Sequence, residues 1–518
     1  DNFFDLGGDS IRSLRVVAHA RTKGLTLSVA EMFEHQTVRA LAAAMRRGGN
    51  EAVRTEPFSL LSEADRAALP AGLTDAYPLS MLQAGFIFHA ELRQGYEVYL
   101  TSFHMRVRFD ESALRRAVEA LARRHPMLRT SFDVSSFSEP LQLVHAEAKV
   151  PLTVFDWRGV PEARQQRDFE AWTHAERQVG FTWRQPPLVR LHAHRLADDT
   201  FRLTLSEPFL DGWSVASLWS ELLRLYVASL EGETPVEPPP ATTYRDFVAL
   251  ERTALTSEAS RSFWAQALTS VERAPVAFWP LRAGEAPGQH VRILFPVAND
   301  VFAGLKHIAS ETALPLKSVL IAAHTRVVAL LTGRDEIVTG IIANGRPEVP
   351  GGDQVLGIFL NTIPLGLRLT GGTWLDLARA AFEAERARLP HRRFPLAQLQ
   401  KSFGDGQPLF DTAFNFTHFH VLEKLRELRG MEILDMMATD QTYFAWTSYF
   451  NVDTANTDLH IALDCNGLGA DQVEAIKACY LSVLSAMSRA PRSRYDTAEL
   501  LPEREWQQLR AWNDTRAE

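Results

Sequence analysis

The first 46 residues show the apolar spacing of a small helical unit. A helix is predicted to begin at Asp9–Ser10, because the following apolar residues recur on one face. The residues that share this face are Ile11, Leu14, Val17 and Ala18. Ser28, with Glu31 three residues later, has the pattern of a capping box, and Thr37 is placed to open a last short helix. About fifty residues of helix form a marginal core by themselves, so this unit resembles a truncated small domain.

The next stretch, residues 47–75, is polar and interrupted by glycine and proline, which predicts a linker with one short helix. A larger body begins at residue 76. In it, Asp110 or Ser112 is placed to cap a helix, and residues 188–207 read as two strands of a hairpin.

The second half of the chain repeats this style after a proline-rich break at 233–244. A helix is predicted over 315–333, a strand over 336–344 and a long helix over 470–490. Strands and helices alternate in both halves, so the fold class is α/β, with two similar lobes over 76–238 and 239–500.

Composition and charge narrow the function classes. The chain has 518 residues, which predicts two to four domains, and its net charge of −8 argues against a nucleic-acid binder. Two cysteines, Cys465 and Cys479, are too few for a secreted disulfide framework and favour a cytoplasmic location. No apolar run predicts a membrane span. The abrupt start, "DNFFDLGGDS", leads us to expect a piece of a longer protein.

The first chemical signal is Ser10 in "DLGGDS". On spacing alone, a helix N-cap serine after a glycine turn is the common explanation, whereas a phosphate-bearing serine at a helix N-terminus is the functional one. The segment "NFFDLGGDSIRSLRVVAHARTKG" resembles the attachment region of a peptidyl carrier protein over residues 1–46. The resemblance implies a covalent 4′-phosphopantetheine on Ser10, and the family's first helix would precede Asp1.

The body resembles the condensation domain of a non-ribosomal peptide synthetase. Seven strings occur in the order of that family, and together they are far more specific than any one alone. They are "YPLSMLQAGFIFHAEL", "RRHPMLRTSF", "DGWS", "YRDF", "IVTGIIANGRPEVPG", "GIFLNTIPLGL" and "LFDTAFNFTHFH". The tail at 501–518 is similar to the lead-in to an adenylation domain.

The resemblance implies a fold, a reaction and partners. The fold would be two chloramphenicol-acetyltransferase-like lobes arranged as a V with a tunnel between them. The reaction would join the thioester carbonyl of a donor on the upstream carrier to the amine of an acceptor on a downstream carrier, without metal or nucleotide. The implied partners are a phosphopantetheinyl transferase, an upstream adenylation domain, and downstream adenylation and carrier domains, within an assembly that makes an antibiotic or a siderophore.

The catalytic string of the family, His-His-x-x-x-Asp-Gly, is altered here. Ser206 and Glu207 stand where the family has its two histidines, while Asp211 and Gly212 are kept. The resemblance gives Asp211 a structural role in a buried ion pair with Arg346. Gly212 permits a close turn, and the neighbouring N–H groups could face a developing oxyanion.

Two interpretations of Glu207 remain open from the sequence. A partly buried carboxylate with a raised pKa can hold or deprotonate the attacking amine, although an ionised one repels an oxyanion. Alternatively, the site has lost its chemistry, and the body is a condensation-like platform that docks carriers or recruits another enzyme. An engineered replacement is a third and less favoured explanation. One change would suffice to inactivate the site, whereas two residues of the string differ here.

Other polar residues carry weaker signals. His418 and His420 alternate along an expected strand and could ligate a metal, but without a third ligand we interpret them as tunnel or core residues and predict no metal. His125 is expected at a helix end, where positive charge is favoured. Arg392 and Arg393 are expected to be solvated, or else to line a docking surface.

Overall fold

The small N-terminal unit is helical, as predicted. The computed structural model describes residues 2–4, 8, 10–47, 54–92, 98–233, 235–269, 290–439, 442, 444–453, 455–497, 499–501, 506–507 and 510. The elements of the unit are α1 (Ser10–Thr22), β1 (Leu25–Thr26), α2 (Val29–Glu34), α3 (Val38–Ala44) and β2 (Arg46–Arg47). The capping box is present, since the Glu31 amide donates to Ser28 Oγ (3.1 Å) and the Ser28 amide donates to Glu31 Oε2 (2.8 Å). Thr37 caps α3 through the Ala40 amide.

The first lobe is built on a five-stranded sheet and a smaller three-stranded sheet. Its elements are α4 (Glu63–Ala67), β3 (Leu73–Pro78), α5 (Met81–Leu92), β4 (Tyr99–Arg106), α6 (Glu111–Arg124), β5 (Thr130–Asp133), β6 (Leu141–His145), β7 (Leu152–Asp156), α7 (Glu162–Arg177), β8 (Arg190–Arg195), β9 (Thr200–Glu207) and α8 (Gly212–Leu230). The small sheet has the order β3-β6-β5. The predicted hairpin is β8–β9, paired from Arg190↔Ser206 to Arg195↔Phe201.

The second lobe is built on a six-stranded sheet. Its elements are α9 (Tyr244–Thr256), α10 (Glu258–Thr269), β10 (Val291–Pro296), α11 (Asn299–Thr312), α12 (Leu316–Thr332), β11 (Glu336–Asn344), β12 (Leu360–Arg368), α13 (Trp374–Arg388), α14 (Leu396–Phe403), β13 (Thr412–Thr417), β14 (Glu432–Thr439), β15 (Trp446–Val452), β16 (Leu459–Cys465) and α15 (Ala470–Arg489). The strands of the six-stranded sheet have the order β10-β16-β15-β13-β11-β12. Short 3₁₀ helices occur at Pro126–Arg129, Leu389–His391 and His420–Glu427. The strand predicted over 336–344 and the helices predicted over 315–333 and 470–490 are confirmed as β11, α12 and α15.

One strand crosses between the lobes. β14 comes from the second half of the chain but pairs antiparallel with β4 at the edge of the first lobe's sheet. The pairing runs from Glu432↔Arg106 to Thr439↔Leu100, and the Leu100 amide donates to Thr439 Oγ1 (2.9 Å). The first lobe's five-stranded sheet therefore includes one strand from the second half of the chain.

The cores follow the same division. The first lobe buries one large apolar cluster between its sheet and helices α6 and α8. The second lobe and the N-terminal helical unit share a single cluster, in which Phe33 of α2 stacks on Phe382 of α13 with ring centroids 6.5 Å apart. The helical unit thus gains from the second lobe the burial that it lacks alone.

Spanning a bilayer requires a helix that is both long enough and sufficiently apolar. Within the described ranges, no single helix satisfies both criteria. Helices α11 and α12 satisfy them only when taken together, and they are bent by 116° at their junction.

Candidate functional site

The altered catalytic string forms a tight turn between β9 and α8. Glu207 is the last residue of β9, and Asp211 is the N-cap of α8, where its carboxylate accepts from the Ser214 amide (2.7 Å). Phe209 anchors the turn by packing edge-on against Phe132, with ring centroids 4.6 Å apart. The turn is therefore fixed at both ends and in its middle by buried contacts.

Asp211 is held by groups from both lobes. Its Oδ1 accepts from Arg346 Nη2 (2.8 Å), and its Oδ2 accepts from the Phe359 amide (3.1 Å). The Asp211 amide donates in turn to the Gly357 carbonyl (3.0 Å). The ion pair between Asp211 and Arg346 predicted from the sequence is thus confirmed, and it joins the turn to the segment between β11 and β12.

Arg346 is completely buried and well supplied with acceptors. It donates to the Val355 carbonyl (2.6 Å) and to Ser214 Oγ (2.7 Å), and its guanidinium lies 4.0 Å from the centroid of the Phe359 ring. Burial lowers the pKa of Arg346, while the charge of Asp211 opposes that shift. A charge buried this deeply needs such partners, so the pair defines the geometry of the turn.

Glu207 is buried in the same turn, with 3% of its surface exposed. Its Oε2 accepts from the Leu210 amide at 2.6 Å. Burial raises the pKa of Glu207 to about 8, and the nearby charge of Asp211 adds to the rise, while the amides of Leu210 and Phe209 oppose it. Near neutral pH this carboxyl can therefore exist with or without its proton.

Ser206 does not join Glu207. Successive residues of a strand point to opposite faces, and Ser206 Oγ donates to Glu176 Oε1 (2.8 Å) of α7. Glu176 also binds Arg190 (2.8 Å) and lies 3.2 Å from His192 Nε2. Burial alone would raise the pKa of Glu176, but His192 and Arg190 hold it down at about 2. The expectation that Ser206 is a catalytic residue is not supported by this position.

Gly212 is exposed, whereas Asp211 and Trp213 on either side are buried. A Cβ atom at Gly212 would lie 2.8 Å from Cζ of Phe419, so that ring stands close to the first residue of α8 without burying it. Trp213 packs against His420 with ring centroids 5.0 Å apart. Phe419 and His420 thus line the approach to the turn, and the sequence singled out only the histidines of "FTHFH".

The two histidines of that string are not on a strand, which corrects the prediction. β13 ends at Thr417, and His420 begins a 3₁₀ helix, because the chain leaves the second lobe's sheet here on its way to β14. The rings of His418 and His420 lie 5.9 Å apart. Within the part of the chain that is described, no three His, Cys, Asp or Glu side chains are grouped so that they could hold a metal.

Three further predictions can be compared with the structure. His125 is the C-cap residue of α6, as expected, and its Nε2 lies 2.9 Å from Glu221 Oε2. Arg392 is buried and Arg393 is only partly exposed, which corrects the expectation that both are solvated, while the alternative that they line a docking surface stays a prediction. Arg392 donates to the Asn344 carbonyl (2.9 Å) and Arg393 to the Gly345 carbonyl (2.8 Å), so both brace the segment after β11.

Ser10 is the first residue of α1, a helix of 13 residues. The positive dipole end of such a helix suits a phosphate, so the position fits a phosphodiester link to 4′-phosphopantetheine. Asp5, Gly7 and Asp9 of the "DLGGDS" motif lie outside the described residues, as does most of the tail at 501–518.

Comparison with known families and proteins adds independent findings. The family described as "Phosphopantetheine attachment site" matches residues 1–45, and the family described as "Condensation domain" matches residues 73–510. The AMB antimetabolite synthetase AmbE of Pseudomonas aeruginosa is 37% identical over 511 residues, which is 95% of this chain and 24% of AmbE. The chain therefore spans about a quarter of the length of that relative.

Solved structures show the same fold. The condensation domain from the Monacolin K polyketide synthase MokA superposes with a TM-score of 0.70 at 18% identity, covering 82% of this chain and all of that one. A four-domain nonribosomal peptide synthetase bound to AMP and glycine gives a TM-score of 0.70 at 17% identity, covering 88% of this chain and 35% of that one. The prediction of two chloramphenicol-acetyltransferase-like α/β lobes behind a helical carrier unit is confirmed.

Proposed function

The chain belongs to the condensation-domain family and carries a phosphopantetheine attachment region, and on that premise we propose that it forms amide bonds with Glu207 in place of the family's histidine. The donor would be an acyl or peptidyl thioester tethered at Ser10, and the acceptor an aminoacyl group on a downstream carrier. The observation that carries the proposal is the buried Glu207 carboxyl in the turn beside exposed Gly212, with its pKa raised to about 8.

A carboxyl with that pKa suits an amine nucleophile. The α-amine has a pKa of about 7.7–8.0, so proton transfer between the two groups is nearly balanced near neutral pH. Ionised Glu207 accepts a hydrogen bond from the amine and takes its proton as the nitrogen attacks. Holding both tethered reactants in the correct geometry supplies the remaining acceleration.

Amide formation transfers the donor acyl group from sulfur to nitrogen. The 4′-phosphopantetheine group attached at Ser10 would supply the thiol that holds the donor as a thioester. A carbon–nitrogen bond forms at the thioester carbonyl, the carbon–sulfur bond breaks, and the proton taken by Glu207 passes to the departing sulfur. Backbone amides at the start of α8 would stabilise the negative charge that develops on the carbonyl oxygen.

The reaction would need a modifying enzyme and neighbouring domains of the same assembly. A phosphopantetheinyl transferase would modify Ser10, an upstream adenylation domain would load it, and downstream adenylation and carrier domains would present the acceptor. Cys465 and Cys479 are both buried free thiols, which fits a reducing cytoplasm.

The test is a reconstituted transfer with the donor loaded on Ser10 and the acceptor on a downstream carrier. Glu207→Gln is expected to lower the rate of amide formation by about 10²–10⁴, the usual contribution of a general base. Glu251→Gln is the matched control, because Glu251 is also buried, has a pKa raised by burial to about 7, and accepts from the Met81 amide (2.9 Å). Equal rates for the two variants would overturn the proposal.

A second candidate function is favoured by Phe419. Because its ring stands against exposed Gly212, the condensation body could serve as a platform that docks carriers while the Phe419 ring hinders the approach of reactants to the turn. In that case Phe419→Ala would leave amide formation at background, whereas the catalytic proposal expects transfer to persist in both proteins. A Ser10→Ala variant that is still modified by the transferase would contradict the carrier assignment.

A further inference from the structure

The helical unit contacts the second lobe through charged side chains of α1. Two arginines of this helix, Arg15 and Arg21, face the loop that follows β11. Their partners, Asp353 and Glu348, both belong to the segment 346–353, which we name the clamp loop. The contact therefore pairs a basic helix face with acidic residues of one loop.

The first contact lies next to the altered catalytic string. Arg15 Nε donates to Asp353 Oδ2 (2.7 Å), and its guanidinium carbon lies 5.9 Å from the centre of the Trp213 ring. Trp213 Nε1 donates to the Asp353 carbonyl (2.9 Å). Since Trp213 follows Gly212 directly, a single side chain separates α1 from the start of α8.

The second contact is set deeper. Arg21 Nη1 donates to the Glu348 carbonyl (2.6 Å), and Arg21 Nη2 lies 3.9 Å from Glu348 Oε2. Glu348 also pairs with Arg392 and lies 3.6 Å from Arg393 Nη2. Burial works against its ionisation, but these arginines hold the pKa of Glu348 below its usual value, so it stays charged.

The clamp loop reaches the turn as well as the carrier. Its first residue, Arg346, binds Asp211 (2.8 Å), and its last residue, Asp353, binds Arg15 (2.7 Å). One short segment thus fixes the turn and receives the helix that begins at Ser10. When the carrier contacts this loop, its helix α1 lies against the second lobe, which also supplies Arg346.

We propose that the clamp loop is a docking surface that selects a carrier by charge. It would accept a carrier helix with arginines five and eleven residues after the modified serine, and it would reject one with acidic residues there. That the docked carrier delivers a donor rests on the proposed amide-forming function, whereas the docking itself does not.

The test uses the full chain and a reporter pair that belongs neither to α1 nor to the clamp loop. Glu34 of α2 and Arg386 of α13 approach each other to 3.9 Å and are both partly exposed. With Glu34→Cys and Arg386→Cys in place, a short bis-maleimide reagent reports the docked state by the rate of cross-linking. The native Cys465 and Cys479 are buried and shielded from the reagent.

Reversing the charge of Arg15 tests whether docking depends on that charge. Arg15→Glu is expected to slow cross-linking about three- to tenfold, since an attractive contact becomes repulsive, and adding Asp353→Arg is expected to restore the rate. Arg39→Glu, an exposed reversal on α3, is expected to leave the rate unchanged. An unchanged rate in Arg15→Glu would overturn the proposal, as would failure of Asp353→Arg to restore cross-linking.

The readout separates the two proposals. Cross-linking measures docking without any transfer reaction, so a charge-dependent rate in a protein that forms no amide supports the docking surface and removes the catalytic function. If amide forms at an undiminished rate while cross-linking does not depend on charge, the catalytic function is supported and the docking surface is ruled out.

Discussion

The pair Asp211–Arg346 is the most strongly constrained feature at the scale of single residues. Both side chains are buried, and every named contact of the Asp211 carboxylate goes to a group that is itself fixed in the core. Such a pair contributes little net stability when intact, because desolvation offsets the attraction. Its effect is to penalise any arrangement in which one charge is left alone.

We predict that Asp211→Asn or Arg346→Met alone lowers the free energy of unfolding by about 3–5 kcal/mol, because either change leaves an unpaired buried group. The two changes together should cost clearly less than their sum. Urea denaturation measures all three variants, with Arg158→Met in the exposed Arg158–Asp156 pair as a control that should leave the free energy of unfolding nearly unchanged. Simple additivity would contradict the coupling.

Glu207 predicts a pH dependence of stability. Its pKa rises from 4.5 to about 8 on folding, so the folded state keeps a proton that the unfolded state loses between these values. The stabilisation of the folded state by this proton is fully present below about pH 4.5 and is lost as the pH rises to about 8. Because glutamine does not titrate, the free energy of unfolding of Glu207→Gln should increase relative to that of the parent as the pH rises. The increase should amount to about 3–5 kcal/mol between about pH 5 and about pH 8.

Thermal unfolding of the parent and Glu207→Gln at the two pH values measures this gain. Glu251→Gln should show the same trend with a smaller amplitude, because the pKa of Glu251 rises only to about 7. A Tm difference between Glu207→Gln and the parent that does not change with pH would show that the folded-state pKa of Glu207 is unshifted.

At the scale of elements, the start of α8 meets the segment between β13 and the 3₁₀ helix. Gly212 has no side chain, and the Phe419 ring occupies the space where one would be. We predict that Gly212→Ala destabilises the protein by about 1–3 kcal/mol through this clash, and that Phe419→Ala in the same chain relieves most of the added cost. Urea titration of the two single variants and the double variant measures it, and additive costs would mean that the two sites do not touch.

Local pattern predicted the elements whose form depends on near neighbours in sequence. The capping box at Ser28, the strand β11 and the helix α15 each follow from spacing within a few residues. The alternation of residues in "FTHFH" predicts a strand after Thr417, because this sequence pattern is the same whether or not a partner strand continues beside it. Its true course is set by the need to reach β14, which local spacing does not record.

At the scale of the whole molecule, β14 ties the lobes together by adding to the edge of the first lobe's sheet. We predict that Met436→Pro with Met437→Pro breaks this connection, since one of two successive amides must face β4 and proline has none. Calorimetry should then resolve two unfolding transitions where the parent shows one. A single transition in the variant would show that β14 does not couple the lobes.

Contacts between distant parts of the chain could be predicted only where a family pattern fixed both partners. The pair Asp211–Arg346 spans 135 residues and was expected because both residues lie in recognised strings. Arg15–Asp353 spans 338 residues and was not expected, since a lone arginine on a helix face is ordinarily solvated. For the same reason Arg392 and Arg393 were misread, because nothing near them in sequence indicates the buried carbonyl groups that they bind.

If Glu207 takes the proton of the attacking amine, the rate of single-turnover amide formation must depend on the ionisation of Glu207, and this rate can be measured as a function of pH. The ratio of the parent rate to the Glu207→Gln rate cancels the ionisation of the amine itself. We expect this ratio to rise with pH and to level off above about pH 8, as Glu207 becomes ionised. A ratio that stays near one at every pH would contradict the claim.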